Sequence, residues 1–185
     1  MNEEAISTFR ECNVNARFTP AGDEVRKVEP KVDFVYPAVP FPSKRIFGAM
    51  GEERIQEMVY HHHALLRKSA VGEMFPADNA AFEAAVLKTA DFFIEATGGP
   101  SVFTSQYGHP ALRERHFRFL IDERAREIWL MMYKKTLKEI AFPKEHLREF
   151  WSWIEPLSIR MINRRTGFEM PKRYPFETIA HEFGL

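Results

Sequence analysis

The chain has 185 residues, 45% of them apolar and 28% charged, with 26 basic and 26 acidic side chains balancing to a net charge of zero. That length suits one core. The apolar share excludes disorder throughout, the even charge gives no electrostatic reason for nucleic acid or an anionic membrane as partner, and no long uncharged run offers a membrane span.

Residues 1–45 carry Pro20, Pro30, Pro37, Pro40 and Pro42, too closely spaced for a long helix, so this segment reads as an N-terminal arm. Phe34, Val35, Tyr36 and Phe41 predict that part of the arm packs on the body in an extended conformation. Its single cysteine, Cys12, is the only one in the chain, which excludes an intramolecular disulfide and an all-cysteine zinc site. The start Met1-Asn2-Glu3-Glu4 lacks the basic and apolar pattern of a secretory signal, so the expected setting is the cytoplasm.

From residue 46 to 165 the periodicity becomes helical, and this stretch is the expected folded body. Ile55, Met58, Val59, His62 and Leu66 recur at steps of three and four and predict a helix over about 52–67. Met74-Phe75-Pro76 breaks it. Asp78-Asn79 opens a second helix carrying Phe82, Val86, Thr89 and Phe93, which Gly98-Gly99-Pro100 ends. Gly108-His109-Pro110 predicts a short helix with proline at its first position and Leu112 and His116 on one face. Asp122 caps a long helix to about Ile140, and Pro143 opens another with Leu147, Phe150, Trp151 and Ile154; Pro156 inside it should kink or break it near Trp153. Residues 166–185, with Phe176, Ile179 and Phe183 after Pro171 and Pro175, form a short C-terminal extension ending in one or two helical turns. No alternating strand pattern occurs, so the expected fold class is all-α.

Aromatic residues are over-represented at 14%, with 17 Phe, which predicts either an aromatic core or a lining for a flat apolar group. His61-His62-His63 cannot converge on one ion, because consecutive helical side chains point about 100° apart. One or two of them face inward, with Val59 and Leu66 as helical neighbours. His116 lies between Leu112 and Phe119-Leu120 and is hemmed by Arg113, Arg115 and Arg118. An inward imidazole among rings, with cations placed to meet carboxylates, is what a haem pocket requires. Trp129 adds an indole N–H that needs an acceptor when buried.

The stretch from Phe92 to Met132 resembles the truncated haemoglobins of group II. It contains Phe92-Phe93, Thr97-Gly98-Gly99-Pro100, Tyr107-Gly108-His109-Pro110, Leu112-Arg113 followed by Arg115-His116, and Trp129 thirteen residues beyond that histidine. The resemblance implies a shortened globin fold, a helical sandwich around haem b, extended by the two terminal segments. It implies His116 as the proximal iron ligand, Trp129 as the distal hydrogen-bonding tryptophan and Phe75 as the ring stacked on haem. Lys88 and Arg115 match positions that reach the propionates, Ala85 and Thr89 match distal positions, and Phe92 and Phe119 belong to the expected surround. Where the family has a distal tyrosine, this chain has His63, or His62 in a register one residue different. An imidazole there could donate to bound oxygen, act as acid and base toward peroxide, or ligate iron as a sixth ligand.

The expected function is therefore binding of O2, NO or CO, with a redox role in NO dioxygenation or peroxide reduction that uses His63 or His62 with Trp129 and an unidentified reductase. The alternatives are a non-enzymatic oxygen carrier or sensor, and a haem-free helical interaction module. No nucleic acid or membrane partner is expected, and the reading leaves room for a homodimer.

Overall fold

The computed structural model describes residues 34–185; Cys12, Phe9, Phe18, Pro20 and Pro30 lie outside the described residues. Helix α1 (Arg45–Arg67) is two helices joined at Gly51, whose φ of 72° and ψ of 172° are not helical. The expected helix from about 52 is the second of these. The first carries the buried Ile46 and Met50, and glycines at 48 and 51 hide its period in the sequence.

A 3-10 turn (Gly72–Met74) leads to α2 (Asn79–Ala96), whose Asp78 cap accepts from the Ala81 N–H at 2.8 Å. Such a cap contributes about 1 kcal/mol. The end of α2 is fixed sterically. Gly98 sits at φ 110°, and a Cβ there would lie 2.2 Å from the Lys44 carbonyl oxygen, so only glycine lets the chain turn against the start of α1. The Phe47 N–H donates to the Thr97 carbonyl at 3.1 Å across that junction.

A short helix α3 (Val102–Tyr107) follows, which the sequence did not announce. The next, α4 (Leu112–Arg115), is a single turn. Pro110 is not its first residue as expected, because Ala111 intervenes with a left-handed backbone at φ 40° and holds the N-cap. A non-glycine residue in that region costs about 1–3 kcal/mol, and this kink delivers Leu112 and His116 to the interior side.

Helix α5 (Glu123–Glu139) is capped by Asp122, which accepts from the Ala125 N–H at 2.8 Å. Helix α6 (Lys144–Met161) then runs through Pro156 without the break expected near Trp153. Trp153, Ile154, Glu155, Pro156, Ser158 and Ile159 are all buried, so packing on both sides of the proline holds the helix despite its missing donor. The C-terminal extension ends in α7 (Phe176–Ile179) and a 3-10 turn (Ala180–Phe183). Among the described residues there is no strand, and no helix is long and apolar enough to cross a membrane.

Helix α1 packs on α2 and α5, and α6 lies against α5. Their shared core is aromatic: Phe93, Tyr133, Phe150 and Trp153 contact one another with ring centroids 5.1–6.2 Å apart. The extension closes this core. Phe176 and Ile179 are buried in it, and the Trp151 indole N–H donates to the Tyr174 carbonyl at 2.6 Å. The described part of the N-terminal arm docks only in part. Phe34 lies under Arg165 and Tyr36 under Arg113, each 4.9 Å from ring centroid to guanidinium carbon, whereas Val35 and Phe41 are exposed.

Candidate functional site

The His116 imidazole lies just beyond α4, and its Nδ1–H donates to the Leu112 carbonyl at 2.6 Å. A neutral imidazole carries one N–H, so this bond leaves Nε2 as a bare lone pair, the form that ligates a metal. Burial lowers the pKa of His116, the Leu112 bond raises it and the nearby Arg118 charge lowers it.

The turn that carries this histidine is tied down by Asn163, which periodicity could not single out. Its amide donates to the carbonyls of His116 at 3.0 Å and Phe119 at 2.9 Å, and its side-chain oxygen accepts from the Ile121 N–H at 3.1 Å. One buried side chain thus fixes three backbone groups of the segment 116–121.

The three histidines of α1 separate as the helix period requires. His61 faces outward and meets Glu139 at 2.6 Å. His62 is fully buried, donates Nε2–H to the Trp129 carbonyl at 3.1 Å and stacks on Tyr133 with centroids 3.6 Å apart. Its Nδ1 has no partner, and burial drives its pKa well below the usual histidine value. His63 donates Nδ1–H to the Val59 carbonyl at 2.8 Å, and burial lowers its pKa to about 4, with the His116 charge adding to the same effect. Among the described residues no group of three or more His, Cys, Asp or Glu is placed to hold a metal ion.

A cavity of about 570 Å³ lies between the corner at residues 70–75 and the segment 118–128, with apolar walls that include Phe75 and Phe119 and with Arg118, Arg124, Arg164, Glu73 and Asp122 as its charged lining. Two of its walls rest on the two half-buried imidazoles: Phe75 meets His63 edge-on with centroids 5.8 Å apart, and Phe119 lies 6.1 Å from His116. His63 and His116 therefore each contact a ring that lines this one cavity, without lining it themselves.

The remaining expected residues fall into three groups. Trp129 is T-shaped to both His62 and Tyr133, and its indole N–H has no acceptor among the described residues. On α2, the Thr89 hydroxyl donates to the Ala85 carbonyl at 3.0 Å, which commits its proton. Lys88, on the same helix, lies over the Tyr107 ring, and its pKa is lowered by burial and then by Arg115 and Arg118. Arg115 is not free to swing: its Nε and Nη2 donate to the carbonyls of Pro110, Tyr107 and His109. Arg113 is likewise anchored, donating to the carbonyls of Arg160 and Ile162. Phe92 packs on Phe93, Phe103 and Trp153 inside the core and does not touch either imidazole.

This donor set fits a haem. An imidazole with an open Nε2, apolar ring walls, and a lysine whose pKa is lowered by burial and by the charges of Arg115 and Arg118 are the contacts that an iron, a macrocycle and its propionates would take.

Comparison with known proteins points the same way. The bacterial-like globin family profile matches residues 45–163. The chain is 28% identical over 120 residues to the group 2 truncated hemoglobin YjbI of Bacillus subtilis, covering 64% of this chain and 88% of that protein. Among solved structures, the phosphate-bound Hell's gate globin IV matches with a TM-score of 0.80 and 47% identity, covering 84% of this chain and 98% of the other. The group II truncated hemoglobin of Bacillus anthracis matches with a TM-score of 0.59 and 28% identity, covering 66% and 93%.

Proposed function

The chain belongs to the bacterial-like globin family, as a truncated haemoglobin of group II, and we propose that it holds haem b on His116 and binds a small ligand on the face toward His63, Thr89 and Trp129. The observation that carries this is the His116 imidazole, whose Nδ1–H is taken by the Leu112 carbonyl so that Nε2 is presented unprotonated. Bound haem iron supplies reversible coordination of O2, NO or CO and one-electron redox chemistry.

The protein's own residues do the rest. Leu112 and Asn163 orient the proximal ring and its turn. Phe75 and Phe119 supply apolar walls, and Lys88 with Arg115 and Arg118 supplies the charge for the propionates. His63, Thr89 and Trp129 form the polar lining on the ligand side.

An imidazole in that lining supports redox turnover, either NO dioxygenation or peroxide reduction, over simple oxygen carriage. A reductase would return the iron to the ferrous state. The test is turnover of haem-loaded protein with peroxide and a reducing dye, and NO consumption under oxygen. Rates well above those of an equal concentration of free haem are expected; rates equal to free haem in both assays would leave carriage or sensing as the function.

A further inference from the structure

We propose that Tyr36 is a positioning residue for the proximal histidine: its ring holds Arg113, and Arg113 holds the turn that presents His116, so the N-terminal arm is coupled to the iron ligand. This rests on haem binding at His116.

The turn does not hold its own shape. Helix α4 has four residues, and a single turn fixes many dihedrals for few hydrogen bonds, so its place is set by what its side chains reach. Its second residue, Arg113, reaches the end of α6, where Nη1 donates to the carbonyls of Arg160 and Ile162. The last carbonyls of a helix lack intrahelical partners and carry the negative end of its dipole, so they hold a guanidinium from one side. The residue before Arg113 is Leu112, whose carbonyl takes the His116 Nδ1–H. Movement of Arg113 therefore moves that acceptor.

The other side of the guanidinium is held by the arm. The Tyr36 ring lies 4.9 Å from the Arg113 guanidinium carbon and 5.9 Å from that of Arg160, so one ring serves both cations. Arg160 Nη2 in turn donates to the Pro37 carbonyl at 3.2 Å, which pins the backbone just after the tyrosine. Before it, Phe34 meets Tyr36 edge-on with centroids 5.2 Å apart and lies under Arg165, itself paired with Glu123 at 2.8 Å. Val35, between the two rings, is 85% exposed, the alternation of an extended segment with one face docked. Residues 34–37 thus clamp α4 to the end of α6 and the segment after it.

The consequence reaches the iron. A group that accepts from the second nitrogen of a ligating histidine orients the ring and raises its basicity. Without the Tyr36 ring, Arg113 and the Leu112 carbonyl are held from one side only, the bond to His116 Nδ1 weakens, and the imidazole becomes a poorer iron ligand. Whatever lifts residues 34–37 off this face loosens the proximal bond.

The experiment compares full-length wild type with Tyr36→Leu, which removes the π face, and Tyr36→Phe, which keeps it. Resonance Raman spectra of the haem-loaded, ferrous, ligand-free proteins report the iron–histidine stretch. Tyr36→Leu should lower its frequency and release haem to excess apomyoglobin roughly 5-fold faster, whereas Tyr36→Phe should match wild type in both. Arg113→Lys, which loses the fork that spans two carbonyls, should lower the frequency too, and adding Tyr36→Leu to it should change little. An unchanged stretch in Tyr36→Leu overturns the proposal even if haem is lost faster, because a contact that only stabilises the fold would do that. Equal shifts in Tyr36→Leu and Tyr36→Phe, or additive shifts in the double variant, also overturn it. Hydrogen exchange of the purified full-length chain needs no haem: Tyr36→Leu should speed exchange at the amides of residues 112–121 and leave those of α2 unchanged. Equal exchange in the two proteins contradicts the clamp, whereas a wild type without a Soret band contradicts the haem reading and leaves the exchange comparison to decide the clamp.

Discussion

The Arg126 guanidinium meets the Glu155 carboxylate at 2.7 Å with both side chains only 2% exposed, joining α5 to α6 inside the protein. Glu155 also accepts from the Arg173 side chain and from the Tyr174 N–H at 3.1 Å, and Arg126 donates to the Lys172 carbonyl at 2.6 Å. One buried ion pair thus anchors the C-terminal extension. Glu155→Ala would leave a buried guanidinium without its counter-charge and should cost about 3–5 kcal/mol. Urea unfolding checks this. The loss should exceed that of Arg173→Ala, whose half-exposed side chain contributes less.

Asn163 gives a second prediction, closer to the site. Asn163→Ala would leave the carbonyls of His116 and Phe119 and the N–H of Ile121 without these partners. The His116 carbonyl still accepts from the Phe119 N–H, so the loss falls on the Phe119 carbonyl and the Ile121 N–H, and a polar group left unpaired away from water costs about 1–3 kcal/mol. The variant should release haem faster than wild type when mixed with an excess of apomyoglobin, whereas an exposed substitution such as Met131→Ala should not.

Acid should destabilise the fold. His62 is neutral when folded, with a pKa held well below 6.5 by burial, and recovers the ordinary value when unfolded. Above pH 6.5 both states are neutral and no pH dependence arises from it. Below that, the unfolded chain binds a proton that the folded one does not, so stability falls as pH falls. The slope is up to about 1.4 kcal/mol per pH unit, or on the order of 2 kcal/mol between pH 7 and 5. His62→Phe keeps a ring on Tyr133 and should flatten that part of the slope in urea denaturation at pH 7, 6 and 5. Equal slopes in the two proteins would contradict the assignment.

The cation cluster makes a prediction about the cofactor. Lys88→Ala should weaken retention of haem by roughly 5-fold, since a partly exposed ion pair is worth up to about 1 kcal/mol. It should have no such effect on haem whose propionates are esterified. Competition for haem between protein and a chelating acceptor, run with both forms of the cofactor, measures the difference.

Much of this was legible in the sequence because the signals were local. Asp78 and Asp122 each cap the helix they announced, and Val59, His62 and Leu66 fall on the buried face that their spacing required. The inward turn of His62 and the outward turn of His61 follow from the same period. Tertiary effects stayed hidden. Pro156 does not break α6, because buried neighbours on both sides hold it. Ala111 takes a left-handed backbone that no propensity would assign to alanine. Asn163 acts on residues more than 40 positions earlier, a separation that no periodic pattern encodes. The aromatic excess divides as well. Phe75 and Phe119 line the cavity and Phe34, Phe176 and Phe183 pack parts of the two extensions, but Phe41 and Phe168 are exposed, so rings in the extensions do not all signal packing.

The central claim is that His116 holds haem iron through Nε2, and the optical spectrum of the purified protein tests it most directly. Wild type expressed with excess haem should carry a strong Soret band. His116→Ala should lose it, with a fall in haem affinity beyond the roughly 10- to 100-fold that removal of an outer-shell partner costs, and added imidazole should restore it in part. A colourless wild type, or a His116→Ala protein with an unaltered Soret band, would contradict the account.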